Sequence, residues 1–110
     1  MKVFICSPYA GDTVRNILSA QSYCRKAVAE GHFPLAPHLY FPQFLDDTDP
    51  EERTKGIGLG LFWLALCDEM WVFGTPSTGM KTEIVQAEKA GIPIRYFDET
   101  LQGRKDATYD

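Results

Sequence analysis

Residues 69–84 read "EMWVFGTPSTGMKTEI". An apolar run that suits a buried strand gives way at Gly74 to small turn-formers and a serine, and a helical pattern follows at once. A strand delivered by a tight turn into a helix is the repeating unit of a parallel α/β sheet. The rest of the chain repeats it.

Upstream, "KVFIC" at 2–6 is a short β-rich run bounded by "SPYAGD". Asp12 is placed to cap a helix from about 13 to 30, with Val14, Ile17, Leu18, Cys24 and Val28 as its apolar stripe and Gly31 as its stop. "HFPLAP" supplies a brief second strand, and "HLYFPQFLDD" reads as an aromatic loop without regular period. Asp49 as N-cap, Pro50 at N1, and Glu51 and Glu52 in the first turn then announce a second helix. That helix is expected to run through "GIGLGLFWLALC" to near Asp68, apolar around most of its circumference, as suits a helix packed between a sheet and something else. After the third strand and the third helix, which Gly91 stops, "IPIRYF" closes the pattern as a fourth strand.

The order β-α-β-α-β-α-β predicts a three-layer α/β sandwich with a Rossmann- or flavodoxin-like parallel sheet of four or five strands in the order 2-1-3-4. One domain over 1–97 and a polar tail over 98–110 are expected from the 110-residue length and 45% hydrophobic content.

The net charge of −4 argues against a broad basic surface for nucleic acid. "MKVFICSPY" lacks the long apolar core of a signal peptide, and the 12-residue run "GIGLGLFWLALC" is short of the roughly 20 residues that a membrane span requires. A cytoplasmic protein without membrane partners is expected. Cys6, Cys24 and Cys67 are too scattered for a disulfide framework or a zinc knuckle, and His32 and His38 have no companions at ligand spacing. No metal and no cofactor are expected, and the thiols are read as reduced and buried.

In a sheet ordered 2-1-3-4, ligand chemistry belongs beyond the carboxyl ends of the first and third strands. Two turns lie there, "CSPYAGD" and "GTPSTGM", and both open helices whose free amides and positive dipole end suit an anion. Ser7 and Gly11 in the first, and Ser77, Gly79 and Met80 in the second, are candidate substrate- or phosphate-binding residues. Ser77 is also the natural N-cap, so capping alone would explain it. Glu83 shares the inward arc with Met80, Ala87 and Ala90, a rise of roughly 9 Å from the helix start. It either borders a cleft or pairs with a surface cation. His38, Tyr40 and Phe41 could wall an apolar pocket or pack over the sheet edge. The glycines of "GIGLG" have the wrong spacing and context for a dinucleotide fingerprint and are read as small packing positions. Asp46, Asp47 and Asp49 are read as capping the second helix in preference to binding Mg²⁺.

"PSTGMKTE", residues 76–83, resembles the P-S-x-G-x-x-x-E element of the nucleoside 2-deoxyribosyltransferase-like proteins, which include 2'-deoxynucleoside 5'-phosphate N-hydrolases. The first turn "CSPYAGD" is similar to that family's small-residue loop after the first strand. The resemblance implies that Glu83 attacks C1' of the sugar, that Ser77 helps hold a 5'-phosphate and that Tyr9 assists the glutamate. It implies a nucleoside or nucleotide as the small-molecule partner and assembly as a homodimer or larger oligomer, with the apolar second helix packed across a two-fold axis. Active members often carry an aspartate in the helix before the third strand, whereas "GIGLGLFWLALC" has no acid. Either Asp68 or an acid of "FLDD" takes its place, or the sugar is held differently. Two functions stay open beside a vestigial interaction module: an enzyme of N-glycosidic bonds, and a non-catalytic protein that senses or sequesters an ADP-ribose-like or other nucleotide.

Overall fold

Val3, Phe4, Ile5 and Cys6 are all fully buried although successive side chains of a strand point to opposite faces. Such a strand needs cover on both sides, which is the signature of a parallel sheet inside an α/β sandwich. The computed structural model describes residues 1–98 and supplies that cover. Its strands are β1 (Lys2–Cys6), β2 (Phe33–Leu35), β3 (Glu69–Phe73) and β4 (Ile94–Phe97); its helices are α1 (Thr13–Ala29), α2 (Pro37–Tyr40), α3 (Pro50–Leu64) and α4 (Thr78–Lys89). The four strands pair in parallel in the order β2-β1-β3-β4, with Cys6 opposite Val72. The fold class and strand order are those expected. Most of the expected tail lies outside the described residues.

The alternation of β1 and β3 divides the core in two. Phe4, Cys6, Met70 and Val72 point toward Leu64 of α3 and toward Met80, Ile84 and Ala87 of α4. Val3, Ile5, Trp71 and Phe73 point the other way, toward Tyr23 and Ala27 of α1. Tyr23 stacks on Phe73 with ring centroids 4.0 Å apart, and Phe73 stacks on Phe97. Burying each such ring stabilises by roughly 1.5–3 kcal/mol.

Four local expectations are corrected. The inner face of α1 is Ala20, Tyr23 and Ala27, while Val14, Leu18 and Val28 of the expected stripe are exposed. Small residues let the helix approach the sheet, and one tyrosine fills the remaining gap. The aromatic loop contains α2 and a 3-10 turn at Phe41–Gln43, each with a proline in its first turn, where the missing N–H costs nothing. α3 ends at Leu64, short of Asp68, because the Leu66 and Cys67 amides tighten onto the carbonyls of Trp63 and Leu64 and the Asp68 amide crosses to the Lys2 carbonyl. Only Gly60 and Leu64 of α3 are buried, so most of its apolar circumference faces outward.

Candidate functional site

β1 and β3 are adjacent, yet their following helices leave to opposite faces of the sheet. The gap above their carboxyl ends is therefore bridged by turns. After β3, Gly74 takes φ +77°, a left-handed conformation that a side chain would strain, and its amide donates to the Phe97 carbonyl at 3.1 Å. Ser77 then caps α4: its hydroxyl accepts from the Met80 amide at 3.4 Å, and its own amide donates to the Met80 sulfur at 3.3 Å. After β1, Ser7 is buried, and its Oγ lies 2.9 Å from Nε2 of His38.

These elements enclose a cleft of about 400 Å³. Ser7, Tyr9, His38, Phe41, Ser77, Gly79, Met80 and Glu83 all line it, so residues of both turns, α2 and α4 meet at one place. Gly11 and Tyr40 are not among the lining residues. Gly11 takes φ +95° in the turn into α1, and Tyr40 is exposed, packing its ring on Phe41 and Phe44. The Tyr9 ring leans on His38 at a centroid distance of 6.0 Å, and its hydroxyl makes no hydrogen bond among the described residues.

Glu83 is partly buried on the inner side of α4. Burial raises its pKa from the ordinary 4.5 to about 7, and a hydrogen bond from the Cys6 thiol opposes that rise. Ala90, placed on the same arc by the helical wheel, is exposed beyond the end of α4. His38 is desolvated as well, which lowers its pKa from 6.5 to about 4 and keeps the imidazole neutral near pH 7. The cleft thus combines a carboxyl poised near neutrality, an uncharged imidazole, the hydroxyls of Ser7, Tyr9, Ser77, Thr78 and Thr82, and the amide end of a helix.

The wall facing α4 was not foreseen. Glu52, Arg53, Gly56, Ile57 and Gly60 of α3 line the cleft together with Asp47. The signal was present in the spacing: Glu52, Gly56 and Gly60 recur every four residues and share one helix face. A Cβ on Gly60 would meet Pro37 at 3.6 Å and one on Gly56 would meet Leu45 at 3.6 Å, so both are contact positions. Gly58 is not; it is exposed, with open space around it. Arg53 has no ion pair among the described residues.

The acids divide cleanly. Asp49 caps α3 through the Glu51 amide at 3.0 Å, and Asp46 accepts from both the amide and the hydroxyl of Thr48. The Glu52 carboxylate accepts from the Asp46 amide at 2.8 Å. Asp68 sits at the opposite end of the sheet, where it accepts from the Lys2 amide at 2.8 Å, and so it contributes nothing to the cleft. Among the described residues no three potential ligands are grouped to hold a metal, and no helix is long and apolar enough to cross a membrane.

Two solved structures share this architecture. A 2-deoxyribosyltransferase from Bacillus psychrosaccharolyticus superposes with a TM-score of 0.69 at 20% identity, covering 89% of this chain and 72% of the other. The CMP N-glycosidase of Clostridium botulinum superposes with a TM-score of 0.58 at 17% identity, covering 89% and 71%. At such identities the likeness is one of fold. No curated protein matches the sequence. Residues 1–97 match a family described as "Domain of unknown function (DUF7768)".

Proposed function

The chain belongs to the DUF7768 family, and from that premise we propose that it cleaves or exchanges the N-glycosidic bond of a nucleoside or nucleotide, with Glu83 as the nucleophile at C1'. The observation that carries this reading is the position of Glu83: a half-desolvated carboxyl on the wall of an apolar cleft, beyond the carboxyl ends of β1 and β3. A volume of about 400 Å³ lies in the range of small-molecule sites.

In the proposed reaction a Glu83 carboxylate oxygen bonds to C1' as the C1'–N bond breaks, and the bonding pair leaves with the base, which takes up a proton. Water or a second base then attacks C1' of the glycosyl ester and releases the carboxylate. A pKa near 7 leaves a substantial ionised fraction at neutral pH, while desolvation keeps the anion reactive. Asp47 and Glu52 also line the cleft, and the departing base takes its proton from solvent. Ser77 and the Gly79 amide offer an anion seat at the start of α4, beside the Met80 amide that the Ser77 hydroxyl already holds. Phe41 and His38, which both line the cleft, are assigned to the base, and Tyr9 is assigned to orient Glu83 once substrate draws its hydroxyl inward.

A second reading, a nucleotide-binding protein without turnover, draws support from the inner face of α3. Its acid, Glu52, is already engaged by the Asp46 amide. A homodimer formed through the outer face of α3 belongs to either reading.

The deciding experiment incubates the purified protein with nucleosides, deoxynucleoside 5'-monophosphates and NAD-type dinucleotides and measures free base, with Glu83→Ala alongside. Base release by the wild type and its loss in the variant supports the glycosidase. A ligand-induced thermal shift with no product from either protein supports binding alone.

A further inference from the structure

The scheme above seats the base but gives no protein partner to the charge that gathers on it as it departs. The pairing of Ser7 with His38 supplies one. Ser7 follows the last residue of β1 and is only 6% exposed, and its Oγ lies 2.9 Å from Nε2 of His38. Among the described residues this is the one hydrogen bond that either side chain makes. A hydroxyl brings one proton and two lone pairs, and a neutral imidazole brings one N–H and one bare nitrogen. If Nε2 carried the N–H, the buried Ser7 hydroxyl would have no acceptor for its own proton among the described residues, at a cost of about 1–3 kcal/mol. With the ring proton on Nδ1, the hydroxyl donates to a bare Nε2 and both groups are satisfied. Desolvation, which lowers the His38 pKa to about 4, leaves the ring with a single N–H at pH 7. Nδ1 then bears a hydrogen without a partner among the described residues, on a ring that lines the cleft.

We propose that Ser7 fixes His38 with its proton on Nδ1, and that this N–H donates to the base atom on which charge gathers during departure: N3 or N7 of a purine, or O2 of a pyrimidine. His38 is then a catalytic donor and Ser7 its positioning residue. As the C1'–N bond breaks, its electron pair moves onto the base and spreads to that acceptor, where the donor already stands. The N–H bond of His38 stays intact, and solvent protonates the base. A neutral imidazole suits this task because it polarises the acceptor without surrendering its proton. In the other tautomer, Nδ1 would set a lone pair against a lone pair and oppose departure. Donation to the base rests on the glycosidase reading, whereas the tautomer does not.

The test begins with the wild type. The chain has two histidines, so nitrogen NMR of imidazole-labelled protein at pH 7, assigned with His32→Gln, reads the tautomer of His38. A protonated Nδ1 is expected, and a protonated Nε2 overturns the proposal. Ser7→Ala should return the proton to Nε2, and an unchanged tautomer in the folded variant overturns the part given to Ser7. If Ser7→Ala does not fold, Ser7→Cys decides: its weaker donor should return a measurable share of the proton to Nε2, and a spectrum identical to that of the wild type overturns the same part. Base release is then compared between a purine deoxynucleoside 5'-monophosphate and its 3-deaza and 7-deaza counterparts, or between a pyrimidine nucleotide and its 2-thio counterpart. Loss of the acceptor should cost the wild type roughly tenfold more in kcat/KM than it costs the folded Ser7 variant. Equal losses overturn the donation to the base. Absence of base release from the wild type would sink the glycosidase reading, and the donation with it, while the spectrum still decides the tautomer.

Discussion

Ser7 Oγ and His38 Nε2 lie 2.9 Å apart, tying the end of β1 to α2 across the floor of the cleft. One ring nitrogen is thereby occupied, and Nδ1 has no partner among the described residues. His38 is also neutral down to about pH 4. The acid limb of any activity therefore belongs to Glu83, with its midpoint near 7. His38→Gln should lower kcat/KM by roughly tenfold, about the value of one hydrogen bond, and leave the midpoint of that limb in place. A limb that moves by a full unit in this variant would show that the imidazole titrates in the working range.

The same two residues set opposing slopes in stability. Glu83 binds its proton more tightly in the folded state, so between 4.5 and about 7 its contribution falls as pH rises and is least favourable above that window. His38 binds its proton less tightly when folded, so its contribution is lost as pH falls from 6.5 toward 4. Glu83→Gln should stabilise the protein at pH 8 by about 1–2 kcal/mol, after allowing for solvent at the cleft, and by little at pH 5. His38→Gln should steepen the loss of stability as pH rises from 5 to 7. Urea midpoints at the two ends of the range check both signs, and an unchanged midpoint for Glu83→Gln at pH 8 would contradict the desolvation of that carboxyl.

Two glycines predict opposite outcomes. Gly58 lies in α3, exposed, with nothing to obstruct a side chain, so Gly58→Ala should stabilise by about 0.5–1 kcal/mol through helix propensity. Gly11 also has open space around it but sits at φ +95°. Gly11→Ala should cost about 1–2 kcal/mol in backbone strain. Denaturant unfolding with an unchanged slope for both variants separates these effects from any change in the unfolded chain.

Strand order was legible because "KVFIC" and "EMWVF" are too apolar for a sheet covered on one face, and because the caps at Asp12, Asp49 and Ser77 punctuate the helices. The meeting of the two small-residue turns followed from that order. What stayed hidden depends on distance in three dimensions. The stripe of α1 was misread because Ala20 and Ala27 count little in a hydrophobic pattern, yet they are what lets the helix sit close to the sheet. Glu52 was absorbed into a capping argument, since a first-turn carboxylate suits the helix dipole whichever way its side chain points, and Arg53 carried no pattern that set it apart. The bond from the Cys6 thiol to the Met80 carbonyl joins residues 74 positions apart and leaves no local trace.

The outer face of α3 carries the last prediction. Single apolar side chains on a surface are ordinary, but Leu59, Phe62 and Trp63 of α3 and Leu66 just beyond it are all exposed within eight residues, and the Phe62 and Trp63 rings pack edge to face at 5.7 Å. A continuous apolar face of this kind suits a second copy related by a two-fold axis, in which the same residues meet themselves. The wild type is expected to sediment as a dimer at micromolar concentration, and Phe62→Glu as a monomer. Phe62 is 61% exposed, so its replacement removes little from the core, and the unfolding midpoint extrapolated to low protein concentration should change by no more than about 0.5 kcal/mol. If Phe62→Glu instead lost clearly more stability than that as a monomer, the ring would be serving the fold and not an interface. A wild type that stays monomeric would remove the dimer altogether, leaving the cleft to work with the residues of one chain.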